Sequence, residues 1–290
     1  MKVVFIDKKD MQLKVEYKSL KINEQKIPLR LIDTIIVSSF CSFNSRDILK
    51  ITKEEISILL ISARGDDVAM IYSAKSKNAE LKMEQYLAQK NSLNIAKYFI
   101  TQKVKRHTQH LLNHKIELNS KRVLLDIERA RSTQRLLGLE GSFSSRYFRQ
   151  YFKLFPKRVH LGKRSKQPPL DPANALLSYW YSLYYNIITV KLLSYGFEPS
   201  MGYLHTPFRT HNALSSDILE IFRSAINQAV VSLFKHNLLT NDDFSKKGGV
   251  YLKYEGRRKI WGEFVALVDV LKPKLDSEIA NLKKMINEKI

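Results

Sequence analysis

The first 73 residues consist of short apolar runs separated by polar breaks. The runs are rich in β-branched and aromatic residues and are too short for helices, so they predict strands. They cover residues 3–6, 13–17, 35–38, 56–61 and 68–72. Turns are predicted at residues 8–10, at Asn23-Glu24 and at Gly65, and the apolar positions within residues 45–53 are spaced for one short helix. The pattern indicates a β-rich N-terminal domain of residues 1–73.

Beyond residue 73 the apolar positions follow a different spacing. From residue 74 to about residue 157 they recur three to four residues apart, and no proline lies between Pro28 and Pro156. This spacing predicts long helices joined by short turns. The sequence therefore predicts an α+β fold, in which a small N-terminal β-sheet domain precedes a larger all-α-helical domain of residues 74–290.

Proline and glycine divide the rest of the chain. The prolines within residues 168–172 interrupt the helical pattern, and an uncharged helix is predicted from Ala173 to near Gly196. The next helix is predicted to begin close to Asn212 or Ser215 and to continue through Leu239. The expected breaks between the remaining helices are Gly248, Gly249, Gly256 and Pro273.

Composition adds a charge imbalance to this picture. Of 290 residues, 49 are Lys or Arg and 28 are Asp or Glu, which gives a net charge of +21 and a pI near 9.8. Hydrophobic residues make up 44%, which is usual for a globular chain and excludes a disordered one. A positive excess this large indicates a polyanionic partner, with nucleic acid favoured over an anionic membrane.

Three features bear on the location of the protein. The single cysteine, Cys41, excludes an intramolecular disulfide framework and a multi-cysteine zinc site, so a cytoplasmic protein is expected. The N-terminus has too few apolar residues for a secretory signal. Residues 173–190 carry no formal charge, but polar or small residues recur every four positions and Trp180 lies inside the segment. This pattern favours a buried helix over a membrane span.

Positive charge is concentrated in residues 101–170. This segment has 17 Lys and Arg residues against four acids, a net charge of +13. Aromatic and cationic side chains alternate in its second half. We interpret the aromatics as core residues and the cations as phosphate contacts, the alternatives being base stacking and a solvated helix face. The candidate nucleic-acid contacts are Arg146, Arg149, Lys163, Arg164 and Lys166, with Arg223 further along the chain.

Isolated acids within a basic chain suggest a metal ion between carboxylate and phosphate. Glu140 lies at the end of a predicted helical run, between two glycines that let the backbone bend or another backbone approach. Asp217 and Glu220 are three residues apart near the start of a helix, so their carboxylates share a face. Together with His205, these acids suit Mg²⁺ or Mn²⁺. The alternatives are ordinary helix-terminal acids, a glutamate paired with lysine, and a loop histidine.

Several segments of the helical part carry a recognisable set of motifs. They are the run from Asp171 to Tyr181, the Gly196-Phe-Glu-Pro and Gly202-Tyr-Leu-His elements, and the Asp217-Ile-Leu-Glu element within residues 214–223. With the upstream element Gly138-Leu-Glu-Gly, they resemble the universal CRISPR adaptation integrase family, the nuclease-like subunit that inserts new spacers. The resemblance covers most of residues 74–265. The order of domains in that family, a small β domain before a larger helical one, agrees with the prediction above.

The resemblance implies a divalent metal site. In this family the glutamate of the Gly-x-Glu-Gly element, the histidine after the glycine pair and the last acid of the Asp-x-x-Glu helix bind the ion. The matching residues here are Glu140, His205 and Glu220. Asp217 is implied as a fourth catalytic residue, which holds a water or second ion or orients a ligand. The chain departs from the family at His211, where an arginine is common, and at Ser224, where a proline is common.

The function implied by the resemblance is that of a metal-dependent DNA integrase and endonuclease. With Mg²⁺ or Mn²⁺, a spacer 3′-hydroxyl would attack a phosphodiester of repeat DNA in line, and water in its place would give cleavage. The family acts on double-stranded DNA as homodimers bridged by a small ferredoxin-like second adaptation protein. Residues 74–290 would then form the catalytic and DNA-binding domain. The competing hypothesis is a non-catalytic, basic nucleic-acid-binding scaffold.

Overall fold

The computed structural model describes residues 2–7, 11–38, 41–62, 67–73, 78–206 and 211–288. The strands in these ranges are β1 (Lys2–Ile6), β2 (Met11–Glu16), β3 (Ser19–Ile22), β4 (Gln25–Pro28), β5 (Ile32–Val37), β6 (Cys41–Phe43), β7 (Ser57–Ile61), β8 (Val68–Ile71), β9 (Phe244–Lys246) and β10 (Val250–Leu252). The helices are α1 (Ser45–Lys53), α2 (Ala79–Leu87), α3 (Ser92–Asn113), α4 (Lys121–Glu128), α5 (Thr133–Tyr151), α6 (Pro172–Tyr195), α7 (Ala213–Lys235) and α8 (Tyr254–Asn287). Strands dominate the N-terminal part and helices the rest, which confirms the α+β prediction.

Two four-stranded sheets build the N-terminal part. One has the order β1-β5-β7-β8, in which the first three strands are parallel and β8 runs antiparallel to β7. The other has the order β4-β3-β2-β6. Their facing side chains and α1 enclose an apolar core that includes Leu13, Ile35 and Ile58, all nearly inaccessible to solvent. Burial alternates along β2, as expected for a strand with one face in a core and one in water.

The sequence predicted most of this part correctly. All five predicted strands are present, as β1, β2, β5, β7 and β8, and the predicted helix is α1, capped by Asn44. Strands β3, β4 and β6 escaped prediction because they are only three or four residues long and carry exposed or half-buried polar side chains. The turn at Asn23-Glu24 joins β3 to β4. The turns predicted at residues 8–10 and at Gly65 lie outside the described residues.

The uncharged helix predicted from Ala173 is α6. Asp171 caps its N-terminus by accepting a 2.8 Å hydrogen bond from Asn174 N, and Gly196 ends it in the left-handed region at φ 90°. Trp180 is fully buried, which confirms the prediction of a buried helix. Over the described ranges, the helices all lack the combination of length and apolarity that a bilayer crossing requires.

Three details of the helical prediction are wrong. α7 ends before the predicted Leu239, where Asn237 adopts the left-handed conformation at φ 55°. Gly256 and Pro273 lie inside α8, which continues for 34 residues because a buried apolar stripe packs along its length. The part predicted as all-helical also contains the β9–β10 hairpin, with Gly248 at its turn at φ 68°.

The sheet β1-β5-β7-β8 also packs against the helices. Val3, Ile36 and Leu59 belong to the same apolar core as α3, α6 and α7. Phe5 stacks on Trp261 of α8, and Trp261 Nε1 donates a 2.6 Å hydrogen bond to an Asp7 carboxylate oxygen. The sheet β1-β5-β7-β8 is therefore a shared layer, with the second sheet on one face and the helices on the other.

An ion cluster ties this shared layer to the helices. Asp33 of β5 contacts Lys191 of α6 at 2.8 Å and Lys272 of α8 at 3.1 Å, both at its Oδ1 atom. Lys191 also lies 3.4 Å from Asp276 of α8. We call these two carboxylates and two ammonium groups the interlayer cluster.

Candidate active site

Helices α3, α5 and α7 pack together, and a charged residue lies in their interface. Residues Phe99, Ile100, Val104 and Leu111 of α3 form a buried stripe at helical spacing. Lys103 falls on the same stripe and is 4% exposed. A lysine this deeply buried requires acidic partners, since an unpaired charge there would be strongly destabilising.

Lys103 lies between two carboxylates from different helices. Its ammonium group contacts Glu140 Oε1 on α5 and lies 2.5 Å from Glu220 Oε2 on α7. Arg223, one turn after Glu220, places Nε 2.9 Å from Glu220 Oε1. Ser144 donates a 2.6 Å hydrogen bond to Glu140 Oε1. We call Lys103, Glu140, Glu220 and Arg223 the cavity cluster, because all four line the cavity described below.

The charges of the cavity cluster stabilise one another. Burial disfavours the charge on Glu220, but Arg223 and Lys103 outweigh this effect and hold the pKa of Glu220 far below its usual value. Burial also works against the charge on Lys103, while Glu220 and Glu140 raise the pKa of its ammonium group above the usual value. At neutral pH, Glu220 and Lys103 are therefore ionised although they are removed from water.

Asp217 organises the loop that precedes α7. Its carboxylate is fully buried and accepts backbone hydrogen bonds from Tyr203 at 2.6 Å, Leu204 at 3.0 Å and His205 at 3.0 Å. It also binds His205 Nδ1 at 2.6 Å. Burial lowers the pKa of His205, but the hydrogen bond and charge of Asp217 outweigh it, so the pKa is raised. With Nδ1 donating to Asp217, Nε2 of the neutral ring is the nitrogen available to a ligand.

The glycines near the site differ in their surroundings. A Cβ at Gly202 would lie 2.8 Å from the backbone at the start of α7 and 2.8 Å from Asp217 Oδ2, so glycine permits the close approach. Gly138 and Gly141 instead stand within α5, and a Cβ at either would have no neighbour within 4 Å. The prediction that Glu140 lies at a helix end, where these glycines allow a close backbone approach, is therefore wrong.

One cavity of about 570 Å³ brings the predicted ligands together. Glu140, His205 and Glu220 come from three separate segments and all line this cavity, while Asp217 holds His205 from behind. The predicted nucleic-acid contacts that line it are Arg149, Lys163, Arg164, Lys166 and Arg223. Arg146 is exposed on α5 but is absent from the lining.

The cations of the cavity wall fall into two groups. The exposed ones are Arg149, Lys163 and Lys166. Arg164 is half-buried and donates to Asn174 Oδ1 at 2.9 Å and to Ser178 Oγ at 3.0 Å, so it fastens the preceding loop to α6. Arg223 lies 4.3 Å from the centre of the Tyr181 ring, in addition to its ion pair with Glu220. The residues of the first group are exposed to solvent, whereas those of the second support the architecture of the wall.

The chemistry of the donor set fits a divalent cation. Two carboxylates and one imidazole nitrogen suit Mg²⁺ or Mn²⁺, and all three groups line the same cavity. As the side chains lie, no group of three or more His, Cys, Asp or Glu residues in the described ranges is arranged as a metal site. The ammonium of Lys103 lies in contact with both carboxylates.

Sequence reasoning missed three residues of the site. The signal for Lys103 was its place on the apolar stripe of α3, where a charged side chain needs a buried partner. Ser144 follows Glu140 by four residues and so shares its face of α5. Tyr181 lies on α6 and donates a hydrogen bond to Asn227 Oδ1 on α7.

The aromatic residues of the basic segment lie mainly in the core, as predicted. Phe143, Tyr147 and Tyr151 are inaccessible to solvent. Behind the cavity, Asn227 Nδ2 donates to Tyr147 OH at 2.9 Å, and Tyr147 OH contacts His110 Nδ1 at 2.7 Å. This polar network joins α3, α5 and α7. Its hydrogen bonds pair polar groups that are buried among apolar side chains.

Sequence comparison identifies the family. The profile of CRISPR associated protein Cas1 matches residues 2–265. This chain belongs to the Cas1 family. One Cas1 relative, CRISPR-associated endonuclease Cas1 1 of Thermodesulfovibrio yellowstonii, is 28% identical over 284 residues, which cover 90% of this chain and 89% of the relative. The resemblance to the adaptation integrase of CRISPR systems is thereby confirmed.

Solved structures share the Cas1 fold of this chain. A Cas1 protein from Thermotoga maritima matches with a TM-score of 0.87 and 21% identity, and the match covers 100% of this chain and 98% of that one. A casposase bound to its integration product matches with a TM-score of 0.78 and 25% identity, over 92% of this chain and 83% of the casposase. The first match establishes the arrangement of sheets and helices as that of Cas1.

Proposed function

We propose that this Cas1-family chain is a divalent-metal-dependent DNA integrase and endonuclease that joins 3′-hydroxyl ends of spacer DNA to repeat DNA. The observation that carries the proposal is the convergence of Glu140, His205 and Glu220 on one cavity with a cationic wall. Family membership supports the reaction class, and the similar casposase, described as bound to its integration product, supports strand joining on this fold.

Glu140, His205 and Glu220 are the residues that hold Mg²⁺ or Mn²⁺ in this proposal. The bound ion polarises the scissile phosphate and stabilises charge on the attacking and leaving oxygens. Glu220 is already ionised at neutral pH, so it loses no proton when it binds a cation. Asp217 fixes the ring of His205 through Nδ1 and thereby keeps Nε2 for the ion.

The exposed cations of the wall hold the DNA. Arg149, Lys163 and Lys166 neutralise backbone phosphates near the metal ligands, in a chain whose net charge is +21. These contacts position duplexes without reading their sequence, so sequence choice comes from DNA shape or from partners. The proposed assembly is a homodimer with a small ferredoxin-like second adaptation protein, and residues 74–290 are the proposed catalytic and DNA-binding domain.

The decisive test compares strand transfer in single-residue variants. Purified wild type, Glu220→Gln and His205→Ala are assayed with labelled spacer DNA and a supercoiled plasmid that carries a repeat, in Mn²⁺ and in EDTA. We expect each substitution, and EDTA with the wild type, to lower the rate about a thousandfold or more, because a metal ligand or the metal ion itself is lost. Glu263→Gln, which changes an exposed glutamate of α8, is the matched control and keeps the wild-type rate.

Duplex affinity measured on the same samples separates the two functional hypotheses. An integrase whose ligands are removed still binds duplex DNA within about threefold of the wild type, because the wall cations are unchanged. A wild type without Mn²⁺-dependent strand transfer, or a Glu220→Gln variant with full activity, would contradict the metal mechanism. The non-catalytic scaffold would then be the better description.

A further inference from the structure

Lys103 is a buried cation in contact with two of the three proposed metal ligands. Its ammonium contacts one oxygen of Glu140 and lies 2.5 Å from Glu220 Oε2, and its side chain is 5% exposed. Carboxylate oxygens bind Mg²⁺ at about 2.0 to 2.1 Å. An ion that bridged the same two oxygens would therefore overlap the ammonium group, so the two cations cannot occupy this position together.

The charge balance leads to the same conclusion. The cavity cluster has two carboxylates and two cations, Lys103 and Arg223, and is neutral as it stands. A divalent ion added without any rearrangement would leave two uncompensated positive charges among side chains that are shielded from water. Arg223 is held by Glu220 Oε1 and by the face of Tyr181, whereas Lys103 has a flexible four-carbon chain and lines the open cavity.

We propose that Lys103 is a resident cation that occupies the metal position between Glu140 and Glu220 and is displaced into the cavity when the divalent ion binds. The inference rests on the proposed metal site. Lys103 is a positioning residue in this account: it keeps the buried Glu220 and the half-buried Glu140 close together in the metal-free protein and competes with the ion for them. Displaced toward the cavity, its ammonium lies on the side where DNA phosphates would enter.

Removal of Lys103 should strengthen metal binding and not abolish it. Both carboxylates have a second anchor, since Ser144 donates to Glu140 and Arg223 pairs with Glu220. The geometry of the ligands therefore survives the loss of Lys103, while the competing charge disappears. The metal-free protein, in contrast, loses the partner of the buried Glu220 and the half-buried Glu140 and becomes less stable.

The test measures Mn²⁺ binding and thermal unfolding of the full chain without DNA. Wild type, Lys103→Met and Glu220→Gln are titrated with Mn²⁺ by calorimetry, and melted in EDTA and in Mn²⁺. We expect Lys103→Met to bind Mn²⁺ at least about tenfold more tightly than the wild type, because like-charge repulsion is relieved. Its Tm in EDTA should be lower, and its rise in Tm with Mn²⁺ larger, than those of the wild type. Lys105→Met, which removes a charge from an exposed position of α3, is the matched control and changes neither.

The outcomes distinguish this inference from the proposed function. If the wild type binds Mn²⁺ and Glu220→Gln does not, the metal site stands, and unchanged Mn²⁺ affinity in Lys103→Met overturns the role of Lys103 alone. If neither the wild type nor Lys103→Met binds Mn²⁺, both proposals fail. If Lys103→Met does not fold in EDTA, recovery of its folded state in Mn²⁺ supports displacement. If Lys103→Met folds in neither condition, Lys103→Gln is measured instead, because its amide NH₂ still donates hydrogen bonds, and it must bind Mn²⁺ more tightly than the wild type.

Discussion

Two ion clusters of the same charge lie in different parts of this molecule. The cavity cluster and the interlayer cluster each contain two carboxylates and two cations, and each joins three elements. The residues of the cavity cluster line a cavity of about 570 Å³ beside exposed cations. The interlayer cluster joins β5, α6 and α8, and its central residues Asp33 and Lys191 have side chains 14% and 13% exposed.

The difference shows what turns a buried ion cluster into a candidate active site. Burial and mutual charge stabilisation are common to both clusters, since Lys191 and Lys272 lower the pKa of Asp33 much as Arg223 and Lys103 lower that of Glu220. The cavity cluster differs in lining an open space and in having a neighbouring histidine with an available ring nitrogen. A perturbed pKa alone would have drawn attention to both.

The largest effect outside the proposed ligands is expected for Asp217→Asn. The carboxylate serves three backbone donors and His205 Nδ1, and an amide would place its own hydrogens against some of them. We expect the free energy of unfolding to fall by about 2 to 4 kcal/mol, because buried donors lose a charged acceptor. Urea denaturation of the metal-free protein measures this change in the free energy of unfolding. The control is Asp242→Asn at an exposed position, and a loss of less than about 0.5 kcal/mol in Asp217→Asn would contradict the loop-holding role.

A smaller effect is expected when charge is reversed on the wall of the cavity. Arg149→Glu combined with Lys163→Glu should weaken duplex binding about 10- to 100-fold at 0.1 M salt, and should reduce the slope of log affinity against log salt by about 2. Fluorescence anisotropy across a salt series measures both. The matched control reverses Arg146 and Lys153, which are exposed but do not line the cavity. An equal loss in that control would place the DNA along another face of α5.

The smallest effect is expected at the interlayer cluster. Asp33→Asn should lower the free energy of unfolding by about 1 to 2 kcal/mol at pH 7, because Lys191 and Lys272 lose their shared acid, and should leave strand transfer within about twofold. Burial alone would raise the pKa of Asp33, but the two lysines outweigh it, and the pKa lies below the ordinary 3.8. The contribution is therefore present above pH 3.8 and is lost as the pH falls through the lowered pKa.

Denaturation curves of wild type and Asp33→Asn at pH 7 and near pH 2 check this sign, since the two proteins should converge in acid. Glu16→Gln is the control, because it breaks an exposed pair with Lys26 and should leave stability unchanged. Strand transfer that falls with stability in Asp33→Asn would show that the two clusters are coupled.

Elements with a strong local signal were predictable from the sequence. Helix α6 has an Asp171 cap at one end and Gly196 at the other, and both ends were predicted to within a residue or two. Pro273 misled the prediction because local sequence does not show that α8 packs along its whole length. Strand β6 was missed because it has only three residues and pairs with β2, some thirty residues earlier.

The candidate site was predictable only in part. The carboxylates and His205 were first noticed as isolated groups in a basic chain, motif resemblance then grouped three of them as metal ligands, and the cavity that joins those three agrees with that grouping. Lys103 was not found because its importance depends on two acids 37 and 117 residues away along the chain, which only the packing of α3 against α5 and α7 brings close. A charged residue on an apolar stripe was the available signal.

Helix α8 fixes the position of the candidate site relative to the shared layer. Near its start Trp261 is bonded to Asp7 beside the shared sheet, and towards its end Glu278 binds Arg106 at 2.8 Å and Tyr98 at 2.6 Å on α3, the helix that carries Lys103. With 34 residues, α8 is about 50 Å long. It contacts the shared layer near one end and α3 near the other, so the distance and orientation between the sheets and the candidate site are set within the chain itself.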